Sequence, residues 1–130
     1  MIGDKVLLDT NIVSALFKDE STVTNRIDES LEIFIPIIVI GELYYGAAYS
    51  AQVEKNISKI IALSKIAIVL PVSVETSKIY GDLKATLRKQ GSPIPENDIW
   101  IAAIAKQYKL TLITRDKHFN NIAELDIAIW

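Results

Sequence analysis

Short apolar runs alternate along this chain with longer segments whose apolar residues recur every three or four positions. The short runs predict β-strands at residues 5–8, 33–35, 67–70, 111–114 and 127–129. The longer segments predict helices at residues 11–18, 40–48, 52–65, 75–90 and 98–108. Strands and helices that alternate in this way are typical of βαβ units, so we predict an α/β fold with a mostly parallel sheet covered on both faces.

Two of the predicted helices carry further signals. The helix at 75–90 should end at Gly91, because glycine readily adopts the left-handed backbone conformation that closes many helices. The helix at 98–108 is nearly all apolar, so we expect it to be buried on most sides. Asp98 stands at its start and therefore places a carboxylate at the edge of a buried element.

The size and composition of the chain predict one domain, 1–130. Half of the 130 residues are hydrophobic, which is enough for a sizeable core, and no linker, repeat or low-complexity tract divides the pattern. No apolar run reaches the roughly 18 residues that cross a bilayer. The first eight residues lack the apolar core of a signal peptide, so we expect a cytoplasmic protein without a membrane anchor.

The polar composition limits the chemistry. The chain has no cysteine, which excludes disulfides, thiolate metal sites and cysteine nucleophiles, and His118 is the single histidine. The formal charge of -2 provides no overall basic field. A nucleic-acid partner would therefore have to be bound by a local patch and through cations.

Four of the sixteen acidic residues follow a predicted strand or have apolar surroundings: Asp9, Glu42, Asp98 and Asp116. In open parallel sheets, ligand sites form beyond the carboxyl ends of the strands, where the winding direction reverses. Asp9 and Asp116 would face each other there if the fourth strand pairs beside the first, an order that periodicity does not supply. Asp98, whose helix leads into the fourth strand, can come near the same crevice. Carboxylate ligands suit Mg²⁺ or Mn²⁺ better than zinc.

Each of these acids also has an ordinary structural role. Asp9 can cap the helix that follows it, and Asp98 can complement the positive end of a helix. Asp116 stands between two cations and can be an exposed turn residue. Glu42 is harder to explain in this way, because the residues three and four positions from it include no cation and a buried, unpaired carboxylate is costly.

Four segments of the chain match, in order, the motifs of a known family. They are Leu7-Leu8-Asp9-Thr10-Asn11, Ile40-Gly41-Glu42-Leu43-Tyr44-Tyr45-Gly46, Asn97-Asp98-Ile99-Trp100-Ile101-Ala102-Ala103 and Thr114-Arg115-Asp116-Lys117-His118-Phe119. Together they resemble the motifs of PIN-domain ribonucleases, and within that family the chain most resembles the VapC toxins of bacterial and archaeal toxin-antitoxin pairs. The resemblance runs from the first strand to Trp130 without a large insertion.

The resemblance implies a three-layer α/β/α sandwich whose five parallel strands have the order 3-2-1-4-5. It implies a metal-dependent endoribonuclease that hydrolyses RNA phosphodiester bonds with magnesium or manganese, forms a homodimer and is inhibited by a cognate VapB-like antitoxin. The implied catalytic and metal-binding residues are Asp9, Glu42, Asp98 and Asp116. The implied supporting residues are Thr10, Asn11 and Thr114. In many relatives the position of Asp116 is Asn.

Contacts to the RNA are less visible in the sequence. We predict that Lys84, Arg88 and Arg115 contact phosphates, although such residues are more often solvated charges on a helix face or turn. For His118 we favour a supporting role over that of a general base, because water bound to a metal needs less help in losing a proton. The main alternative function is a catalytically silent PIN-like module that binds nucleic acid or a partner protein, and the presence of all four acids argues against it.

Overall fold

A computed structural model describes residues 5–130 of the protein and contains a five-stranded parallel sheet. The strands are β1 (Lys5–Leu8), β2 (Glu32–Pro36), β3 (Ile68–Leu70), β4 (Thr111–Ile113) and β5 (Ile127–Ala128). They pair in the order β3-β2-β1-β4-β5, and every pair is parallel. The predicted fold class and strand order are therefore confirmed. The first four positions of the predicted domain, 1–130, lie outside the described residues.

Across residues 5–130, six α-helices and one 3-10 turn connect the strands. They are α1 (Thr10–Phe17), α2 (Ser21–Glu29), α3 (Ile37–Ala48), α4 (Val53–Ile66), α5 (Val74–Gln90), α6 (Glu96–Tyr108) and the turn Lys117–Asn121. Because parallel crossovers are right-handed, the return of the chain from β3 to β4 puts α5 and α6 on the opposite face from α1 to α4. None of the described helices combines the length and apolar content needed to cross a membrane.

Most of the predicted elements occur within a few residues of their expected bounds, but α2 was not predicted. Its sequence contains several β-branched and polar residues of modest helix propensity, and Val23 is its buried residue. A helix that buries so little has a weak periodic signal. The start of α3 was also wrong, because β2 passes directly into α3 at Pro36 and a continuous apolar run at 33–40 hides the boundary.

The ends of α5 show how local chemistry fixes a helix. Ser73 caps its start through a reciprocal pair of hydrogen bonds with Thr76, whose amide donates to the Ser73 hydroxyl at 3.3 Å. Gly91 closes the other end with a positive φ of 70°, as predicted. These signals lie within a few residues of each other in the sequence, so they do not depend on the rest of the fold.

The core is built around the two central strands. Val6, Leu7 and Leu8 of β1 are fully buried, as is Leu112 of β4. Against them packs α6, whose residues 101–105 are all buried, so the prediction of a helix buried on most sides is confirmed. Within this core, the parallel pairing of β1 with β4 holds their carboxyl ends side by side.

We expect Leu7→Ala to destabilise the protein by about 2–5 kcal/mol, because it removes a fully buried side chain from the central strand and leaves a cavity. The matched control is Leu31→Ala, at a leucine that is 70% exposed, for which we expect a change within about 0.5 kcal/mol. Urea unfolding of both variants measures the difference. Equal unfolding midpoints would contradict the central position of β1 in the core.

Candidate metal centre

The carboxyl ends of β1 and β4 are adjacent, since Leu8 pairs with Ile113 in the sheet. Asp9 and Thr114 are the next residues of the two strands, and the Asp9 amide donates to the Ile113 carbonyl at 3.0 Å. The Thr114 hydroxyl donates to Asp9 Oδ2 at 2.7 Å. Both residues are buried, with exposed fractions of 4% and 1%. Asp9 therefore lies at the point where the winding of the sheet reverses, as the sequence predicts.

Asp9 is also the N-cap of α1. The Thr10 amide donates to Asp9 Oδ1 at 2.8 Å, and Asn11 Nδ2 donates to Asp9 Oδ2 at 3.3 Å. Asn11 in turn accepts a hydrogen bond from the Arg115 amide at 3.1 Å through its Oδ1. The ordinary capping role and a place in the crevice thus belong to the same carboxylate, and the three predicted supporting residues all contact it.

Glu42 reaches the crevice from α3. The Thr10 hydroxyl donates to Glu42 Oε1 at 2.6 Å, and Asn97 Nδ2 donates to Glu42 Oε2 at 3.4 Å. Glu42 is half-buried, and its carboxylate accepts these hydrogen bonds from residues of α1 and α6. Sequence reasoning gave Asn97 no role, and the available signal was its position beside Asp98 in the third motif.

The carboxylates of Asp98 and Asp116 both contact the side chain of His118. The His118 ring nitrogen Nδ1 lies 3.3 Å from Asp98 Oδ2 and 2.9 Å from Asp116 Oδ1. Asp116 caps the 3-10 turn by accepting the His118 amide at 2.9 Å, and its own amide donates to the Thr114 hydroxyl at 3.0 Å. One carboxylate oxygen of each acid and one ring nitrogen lie within 4.8 Å of one another, a spacing that can hold a metal ion.

Burial and neighbouring charges disfavour ionisation of two of these acids, Asp9 and Asp98, whose pKa values are raised. Burial raises the pKa of Asp9, and the nearby charges of Glu42 and Asp116 raise it further, against the hydrogen bonds from Thr114 and the Thr10 amide. Burial also raises the pKa of Asp98 from 3.8 to about 6, with contributions from Asp116 and Asp9.

Direct contacts connect the four acids: Thr10 forms hydrogen bonds with both Asp9 and Glu42. Thr114 donates to Asp9 and accepts from the Asp116 amide, and His118 contacts both Asp116 and Asp98. These contacts place the four acids around one crevice.

The donor set fits a hard divalent cation. Carboxylate oxygens dominate it, which is the chemistry that Mg²⁺ and Mn²⁺ prefer. Hydrogen-bond donors outside the acids orient them: Thr114 holds Asp9, while Thr10 and Asn97 hold Glu42. Such outer contacts commonly fix the direction of metal ligands. A bound cation would stabilise the charged forms of Asp9 and Asp98, whose pKa values are raised mainly by burial and further by neighbouring acids.

Three side chains were predicted to contact phosphates: Lys84, Arg88 and Arg115. Two of them form ion pairs with other parts of the chain. Lys84 Nζ forms an ion pair with Glu96 Oε1 at 3.1 Å. The Arg115 guanidinium pairs with Glu20 at 3.1 Å and donates to the backbone carbonyl of Trp130 at 3.0 Å. Arg88, like Lys84, lines a groove formed by α5, α6 and the loop between them. Among residues 5–130, no hydrogen bond or ion pair joins any of these three side chains to the four acids.

Comparison with known proteins identifies the family. A model of the PIN domain matches residues 6–125. Ribonuclease VapC2 of Haemophilus influenzae is 33% identical over 129 residues, which cover 97% of this chain and 98% of that protein. Ribonuclease VapC2 of Rickettsia felis is 35% identical over 130 residues, which cover 95% of this chain and 96% of that protein.

Solved structures agree with these matches. VapBC2 from Rickettsia felis, bound to a DNA fragment from its promoter, is 30% identical with a TM-score of 0.89, and the match covers 97% of this chain and 98% of that one. DNA-bound VapBC from Salmonella typhimurium is 26% identical with a TM-score of 0.90 and the same coverage. The matches span nearly the whole length on both sides. The chain therefore belongs to the PIN-domain family and, within it, to the VapC group.

Proposed function

We propose that this protein is a metal-dependent endoribonuclease that hydrolyses RNA phosphodiester bonds and serves as the toxin of a toxin-antitoxin pair. The observation that carries the proposal is the set of contacts through Thr10, Thr114 and His118 that links the four acids beyond the carboxyl ends of β1 and β4. Two of these acids, Asp98 and Asp116, come close enough with His118 to share an ion. The relatives that match the whole chain are named ribonucleases, which supports the same chemistry. We also propose a cytoplasmic location for this activity.

We assign metal binding and catalysis to Asp9, Glu42, Asp98 and Asp116, with Mg²⁺ or Mn²⁺ as the cofactor. A bound ion of this kind supplies a Lewis acid, which activates water and neutralises charge on the phosphodiester. The protein's own part is to hold the carboxylates in place through Thr10, Asn11 and Thr114. Thr10 and Asn11 begin α1, and Thr114 directly follows β4. The fold therefore sets the positions of the carboxylates that these residues contact.

His118 has a positioning role in this proposal. Its Nδ1 contacts both Asp98 and Asp116, and its amide donates to Asp116. These contacts hold two carboxylates from different elements at one point before an ion binds. The carboxylates therefore lose less conformational entropy when the ion binds.

The proposed partners are a VapB-like antitoxin and a second copy of the chain. The solved relatives were studied as VapBC complexes, which supports an antitoxin partner. Several large apolar side chains on and beside α3 are exposed: Ile37, Tyr44, Tyr45 and Tyr49. Of these, Tyr45 and Tyr49 lie next to each other, with ring centres 5.2 Å apart. Neighbouring exposed apolar side chains are common at protein interfaces, which supports a protein contact at this helix, including the predicted homodimer.

We expect Asp9→Asn to reduce RNA cleavage by more than about 100-fold, the upper end for changes to groups that merely orient metal ligands. Asn keeps the size of the side chain and can still cap α1, so the melting temperature should fall little. Cleavage of total cellular RNA with Mn²⁺ measures the loss. Asp28→Asn, at an exposed acid of α2, is the control and should cleave at the wild-type rate.

The same assay separates the two functions. Undiminished cleavage by Asp9→Asn would remove Asp9 from the mechanism. A wild-type protein that binds RNA but cleaves none with either metal would instead favour a module that binds without cutting.

We expect Mg²⁺ or Mn²⁺ to raise the melting temperature of the metal-free protein, because the ions bind the folded centre and not the unfolded chain. At an ion concentration about 100 times Kd, the stabilisation is about 2.7 kcal/mol. NaCl at matched ionic strength should not reproduce the rise, and the double variant Asp98→Asn with Asp116→Asn should lose it. A melting temperature that neither metal changes would contradict the proposed metal centre.

The raised pKa of Asp98 predicts a pH dependence in the absence of metal. Between its ordinary value of 3.8 and about 6, the unfolded chain has released the proton while the folded protein still holds it. The unfolded state then binds fewer protons, so the free energy of unfolding falls as pH rises through this window and levels off above it. We expect Asp98→Asn to reduce this fall, measured by urea unfolding with chelator, and Asp28→Asn to keep it in full. Asp9, whose pKa burial also raises, accounts for the part that stays in Asp98→Asn. An unchanged slope in Asp98→Asn would contradict the raised pKa.

A further inference from the structure

A groove leads away from the metal centre between α1, α3 and α4. Its lining includes Thr10, Ser14, Lys18, Glu42, Asn56 and Lys59. Thr10 and Glu42 are joined by a hydrogen bond of 2.6 Å at the metal centre, so the groove is continuous with the proposed site. Thr10, Ser14 and Lys18 are spaced four apart along α1, which places Lys18 about 12 Å further along that helix than Thr10.

The charges near the centre favour nearby cations if RNA is to bind. The proposed metal ion offsets only part of the charge of the four acids, so further positive side chains nearby would favour an approaching phosphodiester. Lys84 and Arg115 are paired with Glu96 and Glu20. Within the part of the chain that the structure describes, Lys18 and Lys59 form no ion pair, so their charges remain available to a ligand.

Lys59 is held in position before any ligand binds. Its Nζ donates to the Phe17 backbone carbonyl at 3.1 Å and lies 5.9 Å from the centre of the Phe17 ring. An ammonium group has three donors, so two remain for a phosphate. Because the half-buried side chain is already ordered, it loses less conformational entropy on binding than a free surface lysine. Lys18 directly follows Phe17, and the two cations therefore flank the same end of α1.

We propose that an RNA phosphate neighbouring the cleavage position binds between Lys18 and Lys59, so that the substrate strand runs from the metal centre along α1. The inference rests on the proposed RNA hydrolysis at that centre. It adds Lys18 and Lys59 to the predicted phosphate contacts, of which Lys84 and Arg115 form ion pairs with Glu96 and Glu20. Lysine suits this task, since it presents a compact positive charge to phosphate oxygens without fixing the orientation of the strand.

The test uses Lys18→Gln and Lys59→Gln in the full-length protein, with Lys78→Gln on α5 as the matched control. Cleavage of total cellular RNA with Mn²⁺ should show an increase in KM of several-fold for each groove variant, with kcat almost unchanged. The control should match the wild type. Lys59→Arg keeps the charge and should restore most of the lost affinity.

A second measurement separates phosphate binding from a structural role. In the non-cleaving Asp9→Asn background, binding of a short, mixed-sequence single-stranded RNA is followed by fluorescence anisotropy at increasing NaCl. Each phosphate contact contributes about 0.7 to the slope of log K against log salt. Removing one lysine should lower the slope by that amount, whereas Lys78→Gln should leave it unchanged.

An unchanged KM and an unchanged salt slope in both groove variants would overturn the proposal. A Lys59→Gln protein that melts at a lower temperature but keeps the wild-type slope would show that Lys59 only stabilises the end of α1, and would also overturn it. Failure of the proposed function is recognised separately: the wild type would then cleave no RNA, while the salt slopes would still report whether RNA lies in the groove.

Discussion

Burial of neighbouring carboxylates at the carboxyl ends of β1 and β4 is the constraint on which the rest of the site depends. Asp9 is buried beside two other acids, and the pKa of Asp98 is raised to about 6. The apolar residues of β1 and α6 are buried in the core, and their packing keeps these groups in place although burial and neighbouring charge disfavour the ionised carboxylates. The stability of the core thus offsets the free-energy cost of burying these carboxylates together, and a bound divalent cation would lower that cost.

The same acids also serve the local structure. Asp9 caps α1, Asp98 lies in the first turn of α6, and Asp116 caps the 3-10 turn. The positive end of a helix stabilises a nearby negative charge, so these positions offset part of the repulsion within the crevice. The ordinary structural roles and the proposed chemical role therefore support one another, and neither excludes the other.

The distribution of charge matters more for this protein than its sum. The formal charge of -2 conceals an acidic centre and a groove with two lysines that begins beside Glu42. Acids elsewhere in the chain neutralise other basic residues, as Glu20 does for Arg115. A substrate with regularly spaced negative charges would be attracted along the groove and repelled from the centre until a cation is bound there.

The sequence alone determined the elements with strong local signals, such as the buried helix α6 and the glycine that closes α5. It also pointed to the four acids as candidate metal ligands, because charged residues stand out where the surrounding sequence is apolar. The strand order came from the family resemblance. Only the tertiary structure placed Asn97 against Glu42 and paired Arg115 with a glutamate 95 positions away. Local propensity and periodicity report on neighbours within a few residues, whereas these contacts depend on how loops and helices pack across the sheet. The weakly periodic α2 was missed for a related reason, since a helix with a single buried residue owes its position to its surroundings.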